Sequence, residues 1–356
     1  MKRVLLVGKG FPDRGGIPTF LTMMQSGDLA KQYELTFLNV AHSAAPEGGE
    51  VTTGNIVRTL RDARSVFAQA KHHDIVHIHS ALAPAVTVAR AGLLALAGRL
   101  RGSAVIMHAH GGNIETWLTT PLRRALMRLA MLPANRVVAV WTAGERALAS
   151  SIGADKVRLI DNGVDCGRYS DPEPPHEPPR VLYVGLLTPR KGVLDLIEAS
   201  RMLQADGMEH ELRLLGGTPD EGPAAAEPVI AAAEGVATLL GTRPPEEMPA
   251  AYAEADIFCL PSWWEAMPLS VLEAMTAGLP IVASDVGDVS RLVSEDCGYV
   301  VPVKSPDRIA DALRKLLENV DERRRMGTAA RARALSTFSS AATDKAIADL
   351  YSEVLT

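Results

Sequence analysis

A chain of 356 residues exceeds what one ordinary hydrophobic core organises, so two domains are expected. With 47% hydrophobic and 22% charged residues it reads as globular, and its net charge of −5 argues against a dedicated nucleic-acid binder. Three widely spaced cysteines, Cys166, Cys259 and Cys297, supply neither a disulfide framework nor a CxxC pair, which points to a reducing cytoplasm.

The basic start Met1-Lys2-Arg3 leads into a short apolar run, residues 4–7, which reads as a first strand rather than a signal peptide. No run approaches the ~18 apolar residues of a membrane span. The most apolar region, residues 85–100, is interrupted by Arg90 and Arg99. After the first strand come Gly8, Gly10 and the pair Gly15-Gly16. A strand, a glycine-rich turn and a helix make a generic phosphate-binding entry. The spacing fits neither G-x-G-x-x-G nor a Walker loop, and an ordinary turn explains it equally well.

Residues 35–40, 75–78, 104–107, 136–140 and 156–160 read as further strands, and 80–100 as a helix. Strands alternating with helices predict a parallel, doubly wound sheet. Six histidines cluster within residues 72–110: His72, His73, His77, His79, His108 and His110. His77 and His79 would share one strand face, as would His108 and His110. No H-E-x-x-H or Cys/His spacing supports zinc, so the expectation is polar residues at the sheet's carboxyl edge and no metal.

In residues 121–132, Arg123, Arg124 and Arg128 punctuate an apolar helix. A surface helix with a core-facing side is the commoner pattern. A basic amphipathic helix lying on an anionic membrane is the other reading, and it would suit a lipid-linked acceptor. Asn162-Gly163 forms a turn, read as structural. Residues 171–180 hold five prolines in ten positions, an extended linker and the clearest domain boundary. The expected division is residues 1–170 with 339–356, the linker 171–180, and residues 181–338.

The second half restarts with a strand at 181–184 and a glycine-bounded turn carrying Arg190 and Lys191. Two cations in such a loop suit a diphosphate, though two solvated charges are the plainer reading. Strands follow at 211–215 and 237–240. Residues 255–260 and 281–283 read as two more buried strands, and between them lies Pro261-Ser262-Trp263-Trp264-Glu265-Ala266-Met267-Pro268-Leu269-Ser270-Val271-Leu272-Glu273. Pro268 suits a first helical turn, and Gly278-Leu279-Pro280 supplies a stop. Glu265 is then in the loop and Glu273 more than a turn inside the helix. Free N–H groups at the helix start favour an anion, while the acids accept from hydroxyls. A ligand carrying both phosphates and hydroxyls fits. A strand at 298–303 and two amphipathic helices close the chain.

This stretch resembles the E-x7-E signature of retaining GT-B glycosyltransferases of family four. The likeness extends to Ala255-Asp256, Pro261-Ser262, Met267-Pro268-Leu269, Ala274-Met275, Gly278-Leu279-Pro280, Ser284-Asp285 and Gly287. It departs at Ala266, where the family usually has glycine, and at Leu186, where it has arginine; Arg190 is the neighbouring candidate to supply that charge. The resemblance implies two Rossmann-like domains facing a central cleft, with the last helix crossing back onto the first domain.

It also implies a nucleoside diphosphate sugar as co-substrate, a glycan or lipid-linked acceptor on the N-terminal side, no cofactor, and a cytoplasmic protein that could work at the inner face of the cell membrane. Lys191, Arg190, Gly16 and the helix start (Leu269, Ser270 and Val271, with Ala266 and Met267 before it) would bind the donor's diphosphate. Glu273 would accept from the ribose and Glu265 from the sugar. His110 would lie at the sugar, with His108 in reserve. No Asp-x-Asp triplet occurs, so a metal-independent transfer is expected. The alternatives are a nucleotide-sugar epimerase of this fold and a non-catalytic sugar-nucleotide binder.

Overall fold

The structure, a computed structural model, describes residues 1–13, 15–41, 52–170, 175–218 and 223–356. Contacts divide the chain into two compact units: Met1–Gly163 with Ser340–Thr356, and Val164–Ser339.

Unit 1 is built on strands β1 (Arg3–Gly8), β2 (Glu34–Asn39), β3 (Ile75–Ser80), β4 (Ala104–Ala109), β5 (Arg136–Ala139) and β6 (Val157–Leu159). They form one parallel sheet in the order β2-β1-β3-β4-β5-β6. Every residue of β3 and β4 is buried, as expected for central strands covered by helices on both faces. Val4, Leu6, Ile75 and Ile106 meet Phe20 and Met24 of the helix Gly16–Ser26 in the core. Ile347, Leu350 and Tyr351 of the closing helix Ser340–Leu355 fill the same core. Glu353 of that helix accepts from Arg136 and Arg158.

Unit 2 carries β7 (Arg180–Val184), β8 (Glu211–Leu215), β9 (Ala237–Gly241), β10 (Ile257–Leu260), β11 (Ile281–Ser284) and β12 (Gly298–Val301). The order is β12-β11-β10-β7-β8-β9, again all parallel. The strand order reverses at the β7/β10 neighbours, so the loops leaving β7 and β10 diverge to opposite sides. In such sheets the crevice at the carboxyl ends of those two strands takes the ligand.

Three sequence expectations change. The helix expected over 80–100 starts at Ala85, because β3 continues through Ser80 and Pro84 occupies the N-cap with extended backbone. Pro268 likewise stands outside its helix, at the N-cap with ψ 121, and the helix is Leu269–Thr276. The boundary between units falls at Gly163/Val164, ahead of the proline run. Val164 donates to the Phe338 carbonyl and bridges to Ser339, which ties this segment to unit 2. Of the linker 171–180, residues 171–174 lie outside the described residues. His176 and Arg180 donate backbone N–H groups to the Asp256 carboxylate.

Candidate active site

In unit 2 the loop leaving β7 ends in the single turn Pro189–Lys191 and then Gly192, at φ 67. A Cβ on Gly192 would strike the Pro261 carbonyl, so only glycine lets this turn press against the end of β10. The loop leaving β10 is then tied back to it. Trp263 N–H donates to the Arg190 carbonyl (3.1 Å), and its indole Nε1 donates to Asp195 Oδ2 (2.7 Å). Lys304 Nζ sits 4.3 Å over the Trp263 ring.

This bracing brings two of the expected residues together. Lys191 Nζ donates to Glu265 Oε1 at 2.6 Å, and Ser262 Oγ donates to the same oxygen at 2.8 Å. Both side chains are mostly enclosed, Lys191 19% and Glu265 12% exposed. Among the described residues Glu265 Oε2 has no hydrogen bond, so one carboxylate oxygen is anchored and the other can accept. Arg190 is exposed and its guanidinium makes no hydrogen bond or ion pair among the described residues. The Leu186 carbonyl accepts from Tyr183 Oη, a structural use of the position that lacks arginine.

Behind Glu265 the backbone is held by the loop after β11. Asp288 N–H donates to the Ala266 carbonyl (2.9 Å), and Gly287, at φ 52, lies where a Cβ would hit the carbonyls of Glu265 and Ala266. Ala266 is absent from the non-glycine positive-φ positions, Asn113 and Lys304, so alanine fits there without strain. Arg291 reaches the Met267 sulfur at 3.9 Å. No side chain caps the helix Leu269–Thr276. The amides of Leu269, Ser270 and Val271 therefore keep the unpaired donors and positive dipole end of a helix start.

Glu273 faces another way. Its Oε2 accepts from Tyr252 Oη at 2.7 Å, and Tyr169 also hydrogen-bonds to it. Part of Glu273 stays open to solvent, yet burial raises its carboxyl above the ordinary range, against the pull of the two tyrosines and Arg168. Burial, with Glu273 nearby, pushes the Tyr252 hydroxyl upward. Tyr252, Tyr169 and Asp195 do not stand out in the sequence. Each lies in an unremarkable local pattern, and none carries a motif that announces its partner.

Unit 1 holds the other expected residues. Gly15 is the N-cap of the helix Gly16–Ser26, at φ 116 and ψ −167 in open space, so of the pair it is Gly15 whose backbone demands glycine. Gly16 is the first helical residue and is exposed. His110 directly follows β4. Parallel pairing sets His79 opposite His108, and the alternation of the strands puts His77 and His110 on the same face. The four rings stack. Centroids are 4.3 Å apart for His77/His79 and for His108/His110, and 5.0 Å for His79/His108. Phe20 packs against His79, His108 and His110.

Burial holds all four imidazoles neutral, with His77 and His110 lowered to about 3 and His79 and His108 well below their usual value. Nitrogens of His77, His79 and His108 lie within 4.8 Å of one another. His77 nevertheless has both nitrogens engaged, with Tyr351 and His108, so a three-histidine metal site would have to break those bonds.

The helix Pro121–Ala130 buries Met127 and Ala130. Its arginines are used locally: Arg123, Arg124 and Arg128 donate to the carbonyls of Trp117, Leu118 and Ser151. Leu122 and Leu129 on it, and Leu132 just after it, are 79%, 66% and 64% exposed. Among the described residues no helix is long and apolar enough to cross a membrane.

Residues 170–333 match the family model described as glycosyl transferases group 1, and residues 2–168 match the model described as glycosyltransferase family 4. Each half of the chain thus resembles a glycosyltransferase domain. It is 38% identical over 184 residues to a D-inositol 3-phosphate glycosyltransferase of Corynebacterium efficiens, covering 49% of this chain and 43% of that protein. The chain thus spans about half the length of such curated relatives. To a GDP-mannose-dependent alpha-(1-6)-phosphatidylinositol monomannoside mannosyltransferase of Mycobacterium tuberculosis it is 28% identical over 370 residues, 93% of each chain. Anabaena HepE, solved with UDP and glucose, matches with TM-score 0.76 at 17% identity, over 99% of this chain and 100% of that one. That likeness shows the GT-B fold.

Proposed function

We propose that the protein transfers a sugar from a nucleoside diphosphate sugar to an acceptor hydroxyl, with retention of anomeric configuration and without a metal ion. The observation that carries this is the placing of Lys191, Glu265 and the uncapped start of the helix Leu269–Thr276 on the two loops that leave the β7/β10 switch point. The relatives support it, one a GDP-mannose-dependent mannosyltransferase and the other a D-inositol 3-phosphate glycosyltransferase. So does the presence of UDP in the HepE structure.

In this reading the E-x7-E pair divides its work. The Leu269–Val271 amides, Lys191 and Arg190 bind the diphosphate and stabilise its charge as the glycosidic bond breaks. Glu265, pinned through Oε1, accepts sugar hydroxyls with Oε2, and Glu273 accepts from the ribose in competition with Tyr252 and Tyr169. Ala266 and Met267 line the turn into the helix. From unit 1, Gly16 is assigned to the diphosphate and His110 to the sugar, roles that rest on the resemblance. Both acids belong to one loop-helix element, unlike the opposed carboxylates of a hydrolase, so they are assigned to binding. The resemblance suggests a front-face attack in which the leaving phosphate oxygen takes the acceptor proton. Metal independence rests on the lack of an Asp-x-Asp triplet.

The acceptor is assigned as a glycan or lipid-linked hydroxyl. The exposed leucines at 122, 129 and 132 favour a peripheral contact with a membrane surface, consistent with a cytoplasmic enzyme at the inner face of the membrane.

The test is transfer from radiolabelled UDP-, GDP- and ADP-sugars to a panel of glycan and lipid-linked acceptors, with and without excess chelator. Product anomeric configuration is read by NMR. Retained configuration and undiminished turnover in chelator are expected. Conversion of donor without acceptor would mark an epimerase, and inversion or collapse in chelator would refute the mechanism.

A further inference from the structure

At the end of the first sheet opposite His110 the structure holds a cavity of about 360 Å³, lined by Lys71, His73, Asp74, Arg99, Arg101 and Asn135. These residues stand where the helices Thr53–Ala70 and Ala85–Arg99 end and where β3, β4 and β5 begin. His110 follows the far end of β4, and at the rise of a strand about 20 Å separate it from Ala104 at the near end.

The cavity is basic in a chain whose net charge is −5. Its acidic lining residue is already engaged. Asp74 accepts from Lys2 Nζ (3.1 Å) and from the Arg3 amide (2.8 Å), and the Arg3 amide, with Lys2, holds its carboxyl below the ordinary range. Basic residues at helix ends ordinarily answer the last carbonyls. Here those carbonyls have other donors. Arg101 Nε donates to the Phe67 carbonyl, His73 Nδ1 to that of Gln69, and Ser103 Oγ to that of Ala70. At the second helix the amides of Leu100, Arg101 and Gly102 donate to Leu96, Gly98 and Arg99. Lys71 and Arg99 are exposed, and their side chains make no hydrogen bond or ion pair among the described residues. Arg101, its guanidinium 4.2 Å over the Phe67 ring, keeps its terminal nitrogens. The positive field reaches beyond the cavity: burial lowers the Lys156 ammonium, and Arg136 and Arg99 lower it further.

We propose that this cavity binds the phosphate group of a phosphorylated ligand through Lys71, Arg99 and Arg101. Three cations around one pocket suit a phosphate monoester, which brings three acceptor oxygens and nearly two charges, and arginine meets two such oxygens at once. Leu100, 67% exposed, stands between two of the cations, so a lipid headgroup and a soluble ester are both sources of that phosphate. The site is separate from the one assigned to the sugar nucleotide and does not depend on the transfer reaction.

The test is nitrogen–proton NMR of the full chain, read at the Gly102 and Ser103 amides while inorganic phosphate replaces chloride at constant ionic strength. A parallel arm measures sedimentation with phosphatidylcholine vesicles, with and without phosphatidic acid. Both use the parent, Lys71→Ser/Arg99→Ser, and Lys31→Ser/Lys345→Ser, a control that removes two exposed cations elsewhere in unit 1. The parent and the control should bind inorganic phosphate saturably, or bind vesicles only when phosphatidic acid is present. Lys71→Ser/Arg99→Ser should bind the same probe at least about tenfold more weakly. Binding of inorganic phosphate identifies a soluble ester as a sufficient source; vesicle binding without it identifies the lipid headgroup. The proposal is overturned if the parent binds neither probe, or if Lys71→Ser/Arg99→Ser matches the control in both arms. Neither result bears on Lys191 or Glu265, so the transfer reaction stands or falls separately.

Discussion

Lys191 Nζ and Glu265 Oε1 stand 2.6 Å apart, so the cation assigned to the diphosphate and the acid assigned to the sugar form one mostly enclosed ion pair. The pair keeps both side chains placed before a ligand arrives, and it makes each depend on the other. Lys191→Ala leaves Glu265 charged with only Ser262 as a partner. Breaking such a pair from one side costs roughly 3 kcal/mol, whereas replacing both partners by neutral groups is often close to neutral. Lys191→Ala should therefore lower the denaturation midpoint of unit 2, and Lys191→Met with Glu265→Gln should return it near the parent value. Urea unfolding of the three proteins checks this; a double variant less stable than either single one would contradict it.

Glu273 predicts a pH signature of opposite character. Its carboxyl is raised by burial, so the folded protein holds that proton more tightly than the unfolded chain. The stability it contributes is full below the unfolded carboxylate value and is lost as pH rises through the folded one. Glu273→Gln keeps an acceptor for Tyr252 and removes the charge. The variant should gain thermal stability over the parent at about pH 7.5 and little at about pH 4. A uniform loss at both values would mean that the tyrosine contacts require the charged acid.

The loop carrying Glu265 is shaped by a glycine that follows it by 22 positions. Gly287→Ala would force a Cβ onto the carbonyls of Glu265 and Ala266 in a left-handed backbone. Gly207 also has positive φ, 78, but nothing lies near its Cβ position, which makes it the control. Gly207→Ala should cost about 1–2 kcal/mol and leave sugar-nucleotide affinity intact. Gly287→Ala should cost more and weaken that affinity, measured by calorimetry. Equal effects of the two substitutions would deny the loop its role in placing Glu265.

The buried histidine cluster makes unit 1 acid-sensitive. His77 is fully buried and lowered to about 3, chiefly by burial and then by His110. A depressed folded value means that the stability is present above the unfolded pKa, near 6.5, and drains as pH falls towards 3. One such histidine gives a slope of about 1.4 kcal/mol per pH unit. Urea titrations from about pH 7.5 down to about pH 5 should show a steep loss in the parent, shallower by one proton in His77→Phe. A slope unchanged by that substitution would show His77 titrating normally.

How much of this the sequence disclosed follows from the range of each interaction. The strands are readable because parallel, doubly covered strands are short apolar runs, as in residues 104–107 and 255–260. Glu265 and Glu273 stand out because they lie between two such runs, and Lys191 because it follows another, all at positions the resemblance matches. The partners do not. Tyr252 and Tyr169 reach Glu273 from 21 and 104 positions away, and no local pattern marks a tyrosine that will donate to a buried acid. His77 and Tyr351 are 274 positions apart and meet only because the closing helix packs into the first sheet's core. The sequence reading puts Pro268 in a first helical turn and Pro84 within a helix that starts at residue 80, whereas each takes an extended N-cap backbone. A proline tells that a helix begins nearby but not on which side of it.

In the proposed reaction the β7/β10 switch point of unit 2 holds the diphosphate of a sugar nucleotide through Lys191, beside Glu265. Isothermal titration of UDP-, GDP- and ADP-sugars into the parent and into the Lys191→Met/Glu265→Gln protein tests it most directly. The parent should bind at least one of the three saturably, and the double variant, with its stability near the parent's, should bind it at least about tenfold more weakly, a difference of about 1.4 kcal/mol. Equal affinity in the two proteins, or no binding of any sugar nucleotide by the parent, would contradict it.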